Sequence, residues 1–156
     1  MTTLLRRGVV VILLVLVSGV ARGQESVPAD GKLRALALRA TELEMRRQLA
    51  SATSATIDSL LALYADSVVY EHPNAGAVMR GKDIMRRNMP QFMGSVRAVK
   101  SDPPRVTIGH GVAIVETRAF MEIDDRGKWV PVTRHGVRVV EFDSLGLIRR
   151  IIDYPW

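Results

Sequence analysis

The spacing of apolar positions changes along this chain, from helical in the first half to alternating in the second. Lys32 to Ala50 contains almost only good helix formers, and Leu36, Ala40 and Leu43 set an apolar stripe at spacings of four and three. Arg39, Glu42, Arg46 and Arg47 fall mostly off that stripe. Ser51 to Ser54 interrupts the pattern with hydroxyls that are natural N-caps for a second helix. Ile57, Leu60, Leu61 and Tyr64 make this second helix amphipathic, and Asp66 falls in the turn before a short strand, Val68 to His72. Pro73-Asn74-Ala75-Gly76 reads as a loop, and Gly81 opens a third helix. Met85, Met89 and Met93 recur every four residues there, with Pro90 bending or ending the helix. Such a stripe is either core or the adaptable wall of an apolar cavity.

From Ser95 onward the period is that of strands. Val96 to Ile108 is broken near Pro103-Pro104, Val112 to Ile123 follows, and Asp124 to Lys128 turns the chain into Trp129 to Phe142. Asp143 to Gly146 then turns into a last strand. Short turns between consecutive strands require antiparallel pairing. Helices first and a strand meander afterwards predict an α+β fold, with the N-terminal helices covering one face of a curved, mostly antiparallel sheet.

The first residues stand apart. Arg6 and Arg7 precede an apolar run from Gly8 to Val20, and Ala21-Arg22-Gly23 follows with small residues at its first and third places. That order predicts a signal peptide over residues 1–23 and export, periplasmic or secreted. The alternative is an uncleaved anchor, but 13 apolar residues fall short of the roughly 20 that span a bilayer. No stable membrane span is expected once the leader is cleaved. Residues 24–31, with the breaker cluster Pro28 to Gly31, read as a flexible mature N-terminus, and residues 32–156 as one domain. The absence of cysteine excludes a lipid-modified cysteine and a disulfide framework. The formal charge is +6, but losing three leader arginines leaves 19 basic against 16 acidic groups. The remaining arginine pairs are scattered, without the concentrated stripe and interleaved aromatics of a nucleic-acid surface, so no nucleic-acid partner is expected.

The last strand carries the most unusual residue. Alternate side chains share a face, so Ile151, Asp153 and Pro155 point the same way and put a carboxylate on a core-like face. Burying an unpaired carboxylate is costly. The acid either closes a ligand pocket or belongs to a structural ion pair.

Two helices, a short strand ending Tyr70-Glu71-His72-Pro73, a loop into Arg80-Gly81-Lys82-Asp83-Ile84, a helix and a strand meander resemble the nuclear transport factor 2-like superfamily. Within it the chain is most similar to SnoaL-like proteins and limonene epoxide hydrolase. The resemblance covers roughly residues 32–156. It implies a cystatin-like cone, a bent sheet wrapped around helices with an apolar pocket inside, and often a homodimer. The same fold hosts isomerases, dehydratases, cyclases and binding modules, so fold alone does not choose among them.

Asp153-Tyr154 resembles the terminal-strand aspartate that activates water in the epoxide hydrolases, Arg118 their arginine, and Tyr70 a tyrosine that holds the water. His72 stands for their asparagine, and Phe120 for the acid that protonates the epoxide oxygen, so concerted ring opening lacks its acid. Ile114, Glu116, Arg118 and Phe120 share one strand face, and Trp129, Pro131, Thr133, His135, Val137 and Val139 share a face of the next. If both look inward with Asp153, then Asp153, His135, Arg118 and Tyr70 converge on one cavity. A neutral His135 beside Asp153 would form an acid/base pair like that of SnoaL-like cyclases, with His72 as a further relay.

Plainer readings stand beside this. Asp153–Arg118 is then a buried structural pair, His110 a turn residue and Glu116 an arginine's partner. Likewise His135 is a satisfied interior histidine, His72 caps the pocket loop, and Tyr70 is core. The histidines lack ligand spacing and no Gly-rich phosphate loop is present, so neither metal nor cofactor is expected. The expectation is an exported protein binding a small, mostly apolar molecule, with cofactor-free acid/base chemistry of isomerase, cyclase or hydrolase type. The alternative is a non-catalytic binding or dimeric assembly module.

Overall fold

The structure is a computed structural model that describes residues 28–155. The leader expected at residues 1–23 lies outside the described residues. Among the described residues three α-helices, α1 (Asp30–Arg46), α2 (Ser54–Leu61) and α3 (Lys82–Asn88), accompany seven strands. These are β1 (Tyr64–His72), β2 (Ala77–Arg80), β3 (Val96–Ser101), β4 (Arg105–Gly109), β5 (Val112–Asp125), β6 (Lys128–Phe142) and β7 (Ile148–Pro155). Among the described residues no helix is long and apolar enough to cross a membrane.

Helix α1 starts two residues before the expected Lys32, with Asp30 in its first turn, where the helix dipole favours a carboxylate. Asp30 and Gly31, read from sequence as flexible, are therefore helical. The buried face runs through Leu33, Ala37, Ala40, Thr41, Leu43 and Glu44. It lies one step round from the expected stripe, leaving Leu36 at the edge of the core. Thr53 is the N-cap of α2, and its N–H donates to Thr56 Oγ1 at 3.4 Å. Tyr64 and Asp66 belong to β1 rather than to the helix and turn expected for them. Gly81, at φ 89°, leads into α3. Pro90 falls in the short 3₁₀ helix Met89–Phe92, so the α-helix ends at Asn88.

The seven strands form one sheet in the order β2-β1-β7-β6-β5-β3, with β4 also paired to β5. Each hairpin is antiparallel, and the β5–β6 turn places Arg126 at φ 54° and Gly127 at φ 85°, as a tight two-residue connection demands. The pairing of β1 with β7 is parallel, bringing Tyr70 opposite Ile151. Short turns constrain only neighbours in sequence, so this contact between the first and last strands was not foreseeable from them. The result is the α+β fold, helices on an open, mostly antiparallel sheet, that the sequence predicts. Its core joins Leu33, Leu60, Leu61, Tyr64, Met85 and Ile148, all fully buried, to Val115 and Val140 from the sheet.

One parity assignment is reversed. On β5 the buried residues are Ala113, Val115 and Ala119, whereas Ile114, Glu116, Arg118 and Phe120 are exposed. Register carries this across to β6, where Val140 pairs with Ala113 and Arg138 with Val115 on the inner side. His135 pairs with Arg118 on the outer side. The physical reason lies in β5 itself: its even positions carry Glu116, Arg118 and Glu122, its odd positions no charge until Asp125. A one-residue error in parity turns every side chain over. Accordingly, Val115→Asp is expected to cost more than about 4 kcal/mol, as a buried unpaired charge does. Ile114→Asp on the exposed side should stay within about 1 kcal/mol, and urea denaturation of both variants checks the assignment.

Candidate functional site

Three strands meet at Asp153. It projects from β7 on the face shared with buried Ile151, opposite Arg138 of β6, and beside Tyr70 of β1. Arg138 Nη2 donates to Asp153 Oδ2 at 2.7 Å, and the Tyr70 hydroxyl donates to the same oxygen at 3.0 Å. The two charged side chains are only 15% and 16% exposed. Oδ1 receives neither of these donors.

A second buried acid completes the floor. Glu44 lies on the core face of α1, accepts from the Tyr64 hydroxyl at 3.1 Å through Oε1, and from Arg47 Nε at 2.6 Å through Oε2. Its charge is near enough to raise the proton affinity of Arg138. Thus two carboxylates and two guanidiniums share one poorly solvated region, each acid already holding a cation.

The consequences for titration follow from burial and charge. Burial alone would push Asp153 up, but the Arg138 charge and the two hydrogen bonds together outweigh it and hold the acid below its ordinary value. Burial, then the Asp153 charge, raises the Tyr70 phenol well above its usual range, so it stays protonated. Burial likewise raises Tyr64, with Glu44 adding to it. For Arg138 burial acts against the charge, yet Asp153, Glu44 and Tyr70 more than compensate, and it stays ionised.

Above this floor opens a cavity of about 610 Å³. Met79, Met89, Phe92, Val96 and Ile123 give it apolar walls, while His72, Gln48 and Arg134 add polar groups. Met89 of the expected methionine stripe therefore serves both readings, being buried and lining the cavity. Arg47 lies with its guanidinium carbon 5.6 Å from the Phe92 ring centre. His72 Nδ1 is buried and has no hydrogen-bond partner among the described residues. Among those residues no group of three or more His, Cys, Asp or Glu could hold a metal ion.

Of the five residues singled out from sequence, Tyr70, His72 and Asp153 come together at this cavity. Arg118 and His135 do not. Arg118 lies on the opposite side of the sheet, 3.8 Å from Asp102 and over the Phe120 ring at 4.9 Å, with about half its side chain exposed. His135 is its cross-strand neighbour. The expected convergence of those two on Asp153 is corrected: the guanidinium comes from Arg138, because inner-face parity on β6 falls on even numbers. Glu116 approaches Arg105 at 3.8 Å, and His110 sits in the β4–β5 turn at φ 48°, as their plainer readings have it.

Glu44, Arg47 and Arg138 were missed. Glu44 follows Leu33, Ala37 and Ala40 at helical spacing, and a charge at the end of an apolar stripe was the available signal. Arg138 alternates with Val140 and Phe142, which is the same signal on a strand.

The site is thus a cavity floored by buried acids, set between the helices and one face of an α+β sheet. Residues 45–151 match the SnoaL-like domain family, well over half of the chain, and the protein belongs to that family. No curated protein matches the sequence. Among solved structures, a provisionally named SnoaL-like polyketide cyclase from Shewanella putrefaciens CN-32 is similar at 12% identity and TM-score 0.64, covering 83% of this chain and 91% of that one. A provisionally named ketosteroid isomerase from Kribbella flavida DSM 17836 is similar at 21% identity and TM-score 0.59, covering 81% and 78%. A phenazine biosynthesis-related protein from Pseudomonas aeruginosa is similar at 15% identity and TM-score 0.59, covering 84% and 82%. At these identities the likeness is one of fold.

The lowered pKa of Asp153 fixes a sign. Its ionised form is favoured in the folded chain, so the stabilisation is complete above the unfolded value of about 3.9 and is lost as pH falls through the lower folded value. Asp153→Asn leaves Arg138 buried without its counter-charge and should cost about 3 kcal/mol at pH 7. That gap should close as pH drops below about 4, which urea denaturation of both proteins at pH 7, 5 and 3 would show.

Proposed function

We propose that this SnoaL-like protein binds a small, mostly apolar molecule in the cavity and moves a proton on it without a cofactor, as an isomerase, cyclase or hydrolase does. The observation carrying this reading is a 610 Å³ cavity whose apolar walls end on an ionised carboxylate beside an unpartnered imidazole nitrogen. Asp153 is the proton acceptor, through the oxygen that Arg138 and Tyr70 leave to the cavity. Those two residues orient it. His72 receives or returns the proton through its unpartnered ring nitrogen. In the empty cavity the Arg138 charge makes Asp153 a weak base; an apolar guest that displaces water strengthens the burial effect and moves it toward a useful range. The names of two structural neighbours, a cyclase and an isomerase, point to the same class of chemistry.

A non-catalytic reading draws on a specific feature: both strong donors are spent on Asp153, which is what a structural pair needs. Under it the cavity only holds its guest, and the outer sheet face, with Ile114 and Phe120 exposed, pairs two copies of the chain. Turnover separates the two. After a thermal-shift screen identifies a ligand, Asp153→Asn is expected to lower its conversion by about 100-fold or more while binding changes only a few-fold. Conversion by neither protein, with only stability altered, would leave the binding reading.

We also infer that residues 1–23 direct export, from their charged, apolar and small-residue order. Mass spectrometry of the exported protein should then find Gln24 as its first residue.

A further inference from the structure

Two of the buried side-chain nitrogens left without a partner around the cavity can only donate. Arg47 gives Nε to Glu44 and Arg138 gives Nη2 to Asp153, but Arg47 Nη1 and Arg138 Nε are buried and have no partner among the described residues. Neither atom can accept, and the described residues offer neither of them an acceptor. Leaving a buried donor unpaired is costly. His72 Nδ1 is a third such atom, and it donates when it carries the proton. Arg134, on the inner side of β6 one turn of the alternation beyond Gly136 and Arg138, lines the same cavity.

The acids facing this space are already engaged. Glu44 accepts from Tyr64 and Arg47, Asp153 from Arg138 and Tyr70, and Asp124 from the Gly127 N–H at 2.6 Å. Arg134, by contrast, makes no ion pair or hydrogen bond among the described residues. An unpaired cation at the mouth and unpaired guanidinium donors within select for negative charge on the guest, since charge-assisted bonds from arginine are the stronger kind.

We propose that the cavity takes an apolar molecule bearing a carboxylate or similar oxyanion, drawn in by Arg134 and held by the free N–H groups of Arg47 and Arg138. This rests on the small-molecule reading above and names the substrate class for it. The apolar body lies against Met79, Met89 and Phe92, and the anion is held near, but not on, Asp153.

Isothermal titration of the purified protein with 2-naphthoate and with 2-naphthamide tests this, because the two share size, shape and a carbonyl oxygen but differ in charge. The acid is expected to bind at least tenfold tighter. In Arg134→Gln, an exposed position whose folding circular dichroism would confirm, the advantage should fall below threefold. Equal binding of acid and amide would overturn the inference while leaving the pocket reading intact. Binding of neither would overturn both. A tenfold preference that survives both Arg134→Gln and Arg47→Lys would place the anion elsewhere and also defeat the inference.

Discussion

The pairing of Asp153 with Arg138 is the constraint around which the cavity side of this molecule is arranged. A carboxylate and a guanidinium on adjacent strands, both mostly shielded from water, tolerate little displacement, because either one alone would be an uncompensated buried charge. Tyr70 binds the same carboxylate oxygen from a strand more than 80 residues earlier in the chain. The one acid therefore ties together β1, β7 and β6, including the parallel pair inside the sheet. A buried ion pair of this kind is weak as a source of net stability. Its position at the floor of a cavity is what the reading proposed above draws on.

Helix α1 adds the second half of the same electrostatic arrangement. Glu44 reaches the cavity floor from the helix layer, fixed by Tyr64 and Arg47, and its field reinforces the charge on Arg138. Two acids and two bases in a low-dielectric region neutralise one another overall, while leaving particular atoms unsatisfied. This distinction between charge balance and hydrogen-bond balance matters for what the cavity accepts. The first offsets the cost of burying the charges; the second is the basis of the anion preference proposed above.

The opposite side of the sheet carries the same residue types in a wetter setting. Arg118 and His135 are neighbours, but they face solvent, where the nearest acid to Arg118 is 3.8 Å away and well exposed. An exposed pair of that geometry is worth between nothing and about 1 kcal/mol. What makes Arg138 consequential is its burial next to Asp153, a property of the face on which it sits.

Element types and order were written in local patterns: formers and caps for α1 and α2, alternation and turn residues for β4 to β7, and a carboxylate on an apolar strand face for Asp153. Tyr70 and His72 were legible through resemblance to a superfamily, and their place beside Asp153 depends on that fold. Which side of β5 and β6 looks inward was recoverable from the charge-free odd positions of β5, but only register converts that into Arg138 rather than Arg118 opposite the acid. Glu44 was visible only as a charge ending an apolar stripe. The parallel contact of β1 with β7, and the meeting of α1 with the sheet at a shared cavity, were decided by tertiary structure alone. Periodicity reports which side of an element is buried; it carries no information about which other element is buried against it.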